Sequence, residues 1–303
     1  MDGLKKTAME MIILLTSLKN ENSINTQLIS IMRMDKAIVF EQEVTIMKQN
    51  FRLTLKKALQ TYLVILPFAV IGGISVGMYT FEHSTPQVIE VAIAQLGSYQ
   101  ALIAVTMIQT LVYSLFGWVV GYFIVERLGL MKPFRFEKTV LVKVCPVIVI
   151  LGLVFAADYF VMGRLIPEVA ADYEKGISVA YFISSLTYGA VIEEILLRWF
   201  FMGLIALILV MIFARKTDKK EIPVWIFIAA NVIAALAFSV GHLPATQMFF
   251  GRITGLILIR CFLLNGLFAL FFGRWFRKYG IQYAMLGHFG IHFISKIILI
   301  CVI

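Results

Sequence analysis

The sequence predicts an all-α protein: a polytopic bundle of about seven transmembrane helices, or eight, around a polar intramembrane cavity. Hydrophobic residues make up 60% of the 303 residues, and the mean hydropathy of +0.90 lies far above that of a soluble globular protein. The apolar residues form long runs, and Lys and Arg concentrate in alternate segments between them. Charged residues and histidines interrupt some of the runs, which is the reason to expect a polar cavity.

Seven apolar runs reach the ~20 residues that a membrane-crossing helix needs. They lie at about 59–79, 99–125, 139–162, 178–213, 223–243, 253–273 and 281–301. The fourth run is too long for one straight crossing of ~30 Å, so we expect it to tilt, protrude or break. Residues 1–57 are mixed and polar, and we predict a cytoplasmic N-terminal extension there, with the transmembrane bundle at 58–303.

Basic residues alternate between the two sides of the predicted spans. The segments after the second, fourth and sixth runs carry three or four Lys or Arg each, whereas those after the first, third and fifth carry two or fewer. Because Lys and Arg favour cytoplasmic loops, the N-terminus is predicted to be cytoplasmic and the C-terminus outside. The net charge of +9 is assigned to these inner loops, so no nucleic-acid partner is expected.

Two glutamates and an arginine lie inside the fourth apolar run, in the stretch 188–200 (YGAVIEEILLRWF). Each charge in hydrocarbon costs roughly 2.5–3.5 kcal/mol, so an intramembrane carboxylate indicates a functional site. On an α-helix Glu194 and Arg198 share one face, with the acid N-terminal to the base, and we predict an ion pair. Glu193 lies about 100° round the helix and is left free, as a catalytic acid or base must be.

Three further charged residues, Asp158, Arg260 and Lys296, lie in or near other spans. We expect each to face the bundle interior and to find a partner there, although the sequence does not identify it. The three cysteines are scattered without a CxxC pattern, so neither a disulfide framework nor a cysteine-based metal site is predicted.

Three of the four histidines fall in apolar segments. His242 lies near the end of the fifth run, and His288 and His292 lie in the seventh, four residues apart and therefore on one helical face. A lone buried histidine is usually a hydrogen-bonded core residue, but three of them beside a glutamate pair favour a site. His83 falls in a predicted outer loop, where we expect it to be solvated.

Two chemistries fit these residue types. In the first, Glu193, helped by His242, removes a proton from a water that attacks a carbonyl. His288 and His292 would then donate hydrogen bonds to the developing oxyanion. In the second, these same four residues hold zinc and an activated water, although the chain has no HExxH helix. We favour the metal-free form and predict no cofactor, with zinc as the alternative. A structural polar network or a transport path is a third interpretation.

Three motifs in this part of the chain resemble those of the CAAX-protease and bacteriocin-processing family of intramembrane glutamic endopeptidases. That family carries EExxxR, then FxxxH, then a histidine followed four residues later by Asn or another polar residue. This chain has EEILLR at 193–198, FSVGH at 238–242 and HFGIH at 288–292. The resemblance covers about residues 178–295, the predicted catalytic core. EExxxR alone is a weak signal, but three motifs in order on successive apolar segments are specific.

The resemblance implies a role for each residue of the first two motifs. Glu193 would be the catalytic carboxylate and would activate water together with His242. Glu194 and Arg198 would form the structural ion pair, in agreement with their spacing on a helix.

The last motif carries the one departure from the family pattern. By resemblance, His288 and the residue four positions on would form the oxyanion site, but this chain has His292 in place of the commoner Asn. A neutral imidazole N–H donates as an amide does, so activity could survive the change. A third imidazole could equally favour metal binding, or mark a member that no longer cleaves.

The resemblance therefore implies an endopeptidase of the bacterial cytoplasmic membrane, acting within the lipid bilayer on a hydrophobic or lipidated peptide or protein. The alternatives are a zinc-dependent version and a non-catalytic protein of the same fold, serving bacteriocin immunity or as a scaffold. Candidate substrates are prenylated tails, peptide pheromones, bacteriocin leaders and membrane proteins resembling anti-sigma factors.

Overall fold

A computed structural model describes the backbone of residues 2–303 and the side chains of Met9, Thr16 and residues 40–303. This described chain is helical and contains no strand, which confirms the all-α prediction. The helices, in chain order, are α1 (Asp2–His83), α2 (Pro86–Leu96), α3 (Tyr99–Arg127), α4 (Lys138–Leu165), α5 (Pro167–Glu174), α6 (Val179–Ser184), π1 (Ser185–Glu193), π2 (Ile195–Met202), α7 (Gly203–Phe213), α8 (Val224–Gly241), α9 (Leu243–Phe250), α10 (Gly255–Cys261), π3 (Phe262–Leu267), α11 (Phe268–Tyr279) and α12 (Ile281–Val302).

The described chain divides into two compact units, Met1–Lys56 and Lys57–Ile303. The first unit belongs to α1, and the cytoplasmic placement of residues 1–57 stays a prediction. The second unit contains all the packing and the candidate site described below.

Seven helical segments within the described residues are long and apolar enough to cross a membrane. They are Phe40–His83, Tyr99–Arg127, Lys138–Leu165, Val179–Phe213, Val224–Phe250, Gly255–Tyr279 and Ile281–Val302. Each one covers an apolar run found in the sequence, so the seven-span bundle is confirmed and no eighth span appears in this part of the chain. Large apolar side chains such as Leu63, Val112 and Val142 are exposed on its outer surface, as the lipid-facing side of an integral membrane protein requires.

A break in the fourth span was one of the expected outcomes, and it does not occur. The span instead changes its hydrogen-bonding register. Two π-helical segments, π1 and π2, lie between the α-helical ends α6 and α7. A π-helix bonds each N–H to the carbonyl five residues back, so it has more residues per turn than an α-helix and rises less per residue. The prediction of α-helical geometry around Glu193 is therefore wrong, and the wider helix shortens this over-long span.

Aromatic packing fixes the fourth span against α3. The indole rings of Trp118 and Trp199 stack with their centres 4.7 Å apart, and the Trp199 indole N–H donates to the backbone carbonyl of Trp118 at 3.0 Å. Gly121 lies directly under Trp199, where any side chain would collide with the indole. The seventh span also packs closely against a neighbour: Gly152 of α4 leaves room for Ile294 of α12, where a side chain would collide with the isoleucine. These contacts hold two of the site-bearing helices in place.

The prediction that His83 is solvated is wrong. Helix α1 extends to His83, whose side chain is only 3% exposed, and its Nδ1 lies 2.9 Å from Oδ1 of Asp172 in α5. The same carboxylate oxygen accepts a hydrogen bond from Lys175 at 3.1 Å. A charged partner on α5, which the sequence pattern does not reveal, therefore allows the histidine to be buried at this end of the bundle.

This cluster predicts an acid-sensitive contribution to stability. Burial acts to raise the pKa of the Asp172 carboxyl, but the hydrogen bonds and charges of His83 and Lys175 prevail and lower it below the ordinary value of 3.8. A carboxyl with a lowered folded-state pKa stabilises the fold above its unfolded-state pKa, and the contribution is lost as pH falls through the folded-state pKa. We expect the melting temperature of the wild type in nanodiscs to exceed that of Asp172→Asn from neutral pH down to about pH 4, and the difference to shrink below it. A difference that stays constant down to about pH 2 would contradict this.

Candidate active site

All four predicted catalytic residues line one cavity of about 400 Å³. Glu193 enters it from the fourth span, His242 from the end of α8, and His288 and His292 from α12. Counting residues from the span ends does not bring these groups to one depth. In the structure Glu193 is the last residue of π1 and His242 follows directly after α8, and both line the same cavity as His288 and His292.

Glu193 lies between two histidines. Its Oε1 is 3.9 Å from Nε2 of His242, and its Oε2 is 3.9 Å from Nε2 of His288. Both separations are too long for a direct hydrogen bond. Within the described residues no N–H or O–H donor is bound to this carboxylate, and its side chain keeps 18% of its surface exposed. Glu193 is therefore a carboxylate facing the cavity with its oxygens available.

Glu194 and Arg198 form a fully buried charge pair. Nη1 of Arg198 lies 3.0 Å from Oε1 of Glu194, and the two side chains are 2% and 0% exposed. The contact is not an aligned hydrogen bond, since Nη1, Nη2 and Glu194 Oε2 have no hydrogen-bond partner among the described residues. The guanidinium instead lies between the rings of Phe238 and Phe272, at 5.0 and 5.3 Å from their centres, where cation–π attraction supports it.

The same pair determines where His288 carries its proton. Nδ1 of His288 lies 2.8 Å from Oε1 of Glu194, and a carboxylate paired with arginine can only accept, so Nδ1 is the donor. In a neutral His288 the Nε2 atom is then an acceptor, and the His292 Nε2 found 3.1 Å away must carry the hydrogen between them. The role of both imidazoles as oxyanion donors stays a prediction with one condition: His288 must first gain a proton at Nε2.

His242 is oriented by its own helix. Its Nδ1 lies 2.9 Å from the backbone carbonyl of Phe238, so Nδ1–H donates and the neutral ring has its lone pair at Nε2. That lone pair is on the side of Glu193. The ring also packs edge-on against Phe238, with centres 4.4 Å apart. The Phe and His of the FxxxH motif therefore contact each other directly, and the phenylalanine backbone selects the tautomer.

Several polar cavity-lining residues were not identified from the sequence, and Asn265 and Tyr188 are two of them. Asn265 lines the cavity from π3 and donates to the Cys261 carbonyl at 3.0 Å. Tyr188 lines it from π1. A polar amide within the apolar sixth run and a tyrosine just before the glutamate pair were the available signals.

Two of the three further charged residues named in the sequence analysis, Asp158 and Arg260, are partners of each other. Arg260 pairs with Asp158, with Nη2 and Oδ2 at 2.7 Å, and the hydroxyl of Tyr173 donates to the same carboxylate at 2.8 Å. Both expected interior partners are therefore present. This pair is not part of the cavity lining.

The zinc alternative requires three or four ligand atoms at about 2.0–2.2 Å from one point. In the described part of the chain no group of three or more His, Cys, Asp or Glu is arranged in that way. His288 has both ring nitrogens engaged, one with Glu194 and the other with His292. Binding zinc through all four residues would therefore require these hydrogen bonds to be given up.

Comparison with protein families gives one match. Residues 175–294, less than half of the chain, match the family model described as "Type II CAAX prenyl endopeptidase Rce1-like". The match confirms the resemblance drawn from the three motifs, and it spans all six of the predicted catalytic and ion-pair residues. Neither the curated proteins nor the solved structures contain a match to the chain.

The buried pair predicts a large loss of stability on removal of one partner. Glu194→Ala leaves the Arg198 charge uncompensated inside the bundle, which costs roughly 3–5 kcal/mol. The control is Glu137→Ala, which breaks an exposed pair with Arg135 and should cost no more than about 1 kcal/mol. Chemical unfolding of both variants in the same lipid–detergent mixture measures the difference. Equal losses of unfolding free energy in the two variants would contradict the prediction that the buried pair contributes more to stability than the exposed pair.

Proposed function

We propose that this chain is an intramembrane endopeptidase that hydrolyses a peptide bond of a membrane-associated or lipidated peptide or protein. The observation that carries the proposal is the position of Glu193, 3.9 Å from His242 and 3.9 Å from His288 within one cavity. The family match supports a CAAX-type intramembrane protease in general, and the mechanism and the substrate class are our own inference.

In the proposed mechanism Glu193 is the general base. Its carboxylate takes one proton from a water molecule whose oxygen attacks the carbonyl carbon of the scissile bond. The lone pair at Nε2 of His242 accepts a hydrogen bond from the other water hydrogen and orients the nucleophile. The carbon–oxygen bond forms, the carbonyl oxygen becomes an oxyanion, and Glu193 then gives its proton to the leaving amine nitrogen as the carbon–nitrogen bond breaks.

The oxyanion is stabilised by the two histidines of α12. His292 offers the hydrogen on its Nε2, and His288 offers a second one when it is protonated at Nε2. The carboxylate of Glu194, at 2.8 Å from Nδ1 of His288, stabilises that imidazolium form. Donors held in a site shielded from water stabilise developing charge by several kcal/mol. The Glu194–Arg198 pair therefore supports the chemistry through His288.

The proposed substrate class and membrane location rest on the cavity lining and on the distribution of basic loops. A cavity among membrane-spanning helices with largely apolar lining suits a hydrophobic or lipidated peptide and not a soluble protein. We propose a cytoplasmic N-terminus, a C-terminus outside and the bacterial cytoplasmic membrane as the location, and the alternation of basic loops supports this orientation. We expect no nucleic-acid partner and no cofactor.

One observation favours a second candidate, a non-catalytic protein that binds a peptide in the same cavity. The N–H of His292 is already directed at His288, whereas a catalytic site needs a donor directed at the oxyanion. A scaffold or immunity factor would need the cavity and the buried pair, but not the free carboxylate of Glu193.

Cleavage of quenched hydrophobic peptides, some of them prenylated, by purified protein in nanodiscs tests the proposal. Glu193→Gln keeps the shape of the side chain and removes the base, so we expect at least ~100-fold loss of kcat with an unchanged melting temperature. The control is Glu90→Gln, on α2 and outside the cavity, which should cleave normally.

Each arm is run with and without a chelator. Cleavage that depends on Glu193 and ignores the chelator supports the metal-free mechanism, and cleavage lost with the chelator would move the assignment to zinc. Full activity in Glu193→Gln would overturn the glutamate mechanism. Binding of a peptide by both wild type and Glu193→Gln, without cleavage by either, would favour the scaffold.

A further inference from the structure

A second pocket, of about 140 Å³, lies where the segment between α3 and α4 meets the turn between α11 and α12. It shares no lining residue with the candidate active site. Its lining carries more positive than negative charge, with Lys132, Arg135 and Lys278 against the single carboxylate of Glu137. An excess of cations around a concave site favours an anionic ligand.

The two lysines of this pocket have no carboxylate partner. Arg135 pairs with Glu137, with Nη2 and Oε1 2.9 Å apart. Neither Lys132 nor Lys278 forms an ion pair with any residue in the described part of the chain. Nζ of Lys278 lies 5.3 Å from the centre of the Tyr279 ring, which is a weak contact at an exposed site. Both ammonium groups are therefore available to a ligand.

The hydroxyl of Tyr283 gives the pocket a buried hydrogen-bond donor. Tyr283 lines the pocket and is only 2% exposed. Its oxygen accepts a hydrogen bond from the backbone N–H of Glu137 at 2.6 Å, and no described residue accepts the hydrogen of the hydroxyl itself. Because buried donors are normally satisfied, this hydrogen indicates an acceptor from outside the chain.

Hydrogen bonds fix the two sides of the pocket to each other. The side-chain amide of Gln282, itself 3% exposed, donates to the backbone carbonyls of Pro133 and Arg135 at 2.9 and 3.1 Å. Gly280 forms the turn between α11 and α12 with φ at 115°, a conformation that glycine adopts without strain. The pocket is therefore formed before any ligand binds.

Exposed aromatic rings indicate that this pocket lies at the level of the lipid headgroups. Phe134 and Phe136 are on either side of Arg135 and are 64% and 52% exposed. Phe136 also packs edge-on against Tyr283, with ring centres 5.5 Å apart. Basic residues beside exposed aromatic residues at the end of a membrane-spanning bundle are typical of the membrane–water interface. At this depth the abundant anion is the phosphate of a phospholipid.

We propose that this pocket binds the phosphate of an anionic phospholipid. Lys132 and Lys278 neutralise the phosphate, the Tyr283 hydroxyl donates to one of its oxygens, and the acyl chains extend into the surrounding bilayer. The basic segments that form the pocket face the cytoplasm in the proposed orientation, and basic pockets between membrane-spanning helices on that side bind anionic headgroups. The inference does not depend on the proposed protease activity.

Binding of the full-length protein to phospholipids in nonionic detergent, measured by native mass spectrometry, tests the proposal. We expect the wild type to bind phosphatidylglycerol more tightly than phosphatidylcholine with the same acyl chains. The double variant Lys132→Gln/Lys278→Gln should bind phosphatidylglycerol about 25-fold more weakly, roughly fivefold for each lysine, and should bind phosphatidylcholine as the wild type does.

The matched control is Lys216→Gln/Lys220→Gln, which removes the same charge from exposed residues of another basic segment, outside the pocket. Its affinity for phosphatidylglycerol should change by less than about twofold, because exposed charges away from the ligand are screened. Equal losses in the two double variants would overturn the pocket as the binding site. Equal affinity of the wild type for the two lipids would overturn the preference for an anionic headgroup.

A competition arm distinguishes a lipid from a dissolved phosphate. Inorganic phosphate and the soluble headgroup glycerophosphoglycerol, each at the concentration of the lipid, should not displace phosphatidylglycerol, because they lack the acyl chains. Displacement by either compound would overturn the lipid assignment in favour of a soluble phosphate ligand. A melting curve of each variant checks the fold, and phosphatidylglycerol should raise the melting temperature of the wild type more than that of Lys132→Gln/Lys278→Gln.

Discussion

The contact on which the candidate site depends is the buried pair of Glu194 and Arg198. An arginine with 2% exposure in a membrane bundle requires a carboxylate, and this one also has two aromatic faces around it. Because that carboxylate is occupied by arginine, it can act only as an acceptor towards His288. One charge pair thus neutralises a cation, anchors a histidine and leaves the neighbouring Glu193 as the carboxylate that faces the cavity.

Much of this arrangement could be predicted from the sequence, because membrane insertion leaves strong patterns. Seven apolar runs predicted seven spans, and three short motifs drew attention to Glu193, His242 and His288, which line one cavity in the structure. The spacing of Glu194 and Arg198 predicted their contact, since residues four apart stay close on an α-helix and on the wider helix of the fourth span. These predictions succeed where a residue's neighbours along the chain, or the cost of charge in lipid, determine the outcome.

The remainder depends on contacts between distant segments, which a single sequence does not encode in a readable form. His83 was expected to be solvated because its partner Asp172 lies 89 residues further along the chain. Lys296 was noted as a charge in a span, yet its contact with His292, with Nζ and Nδ1 3.3 Å apart, follows only from the side-chain geometry. The π-helical register of the fourth span was also unforeseen, since its residues are as apolar as those of an ordinary α-helix.

The π-helical register makes the geometry of the site a property of the backbone as much as of the side chains. Converting one turn of π1, between Ser185 and Glu193, to α-helical bonding would advance every residue beyond it by about one position and rotate it about the helix axis. Glu193 would then turn away from His242 although no side chain had been altered. A one-residue insertion or deletion in this stretch is therefore a more severe change than its chemistry alone would indicate.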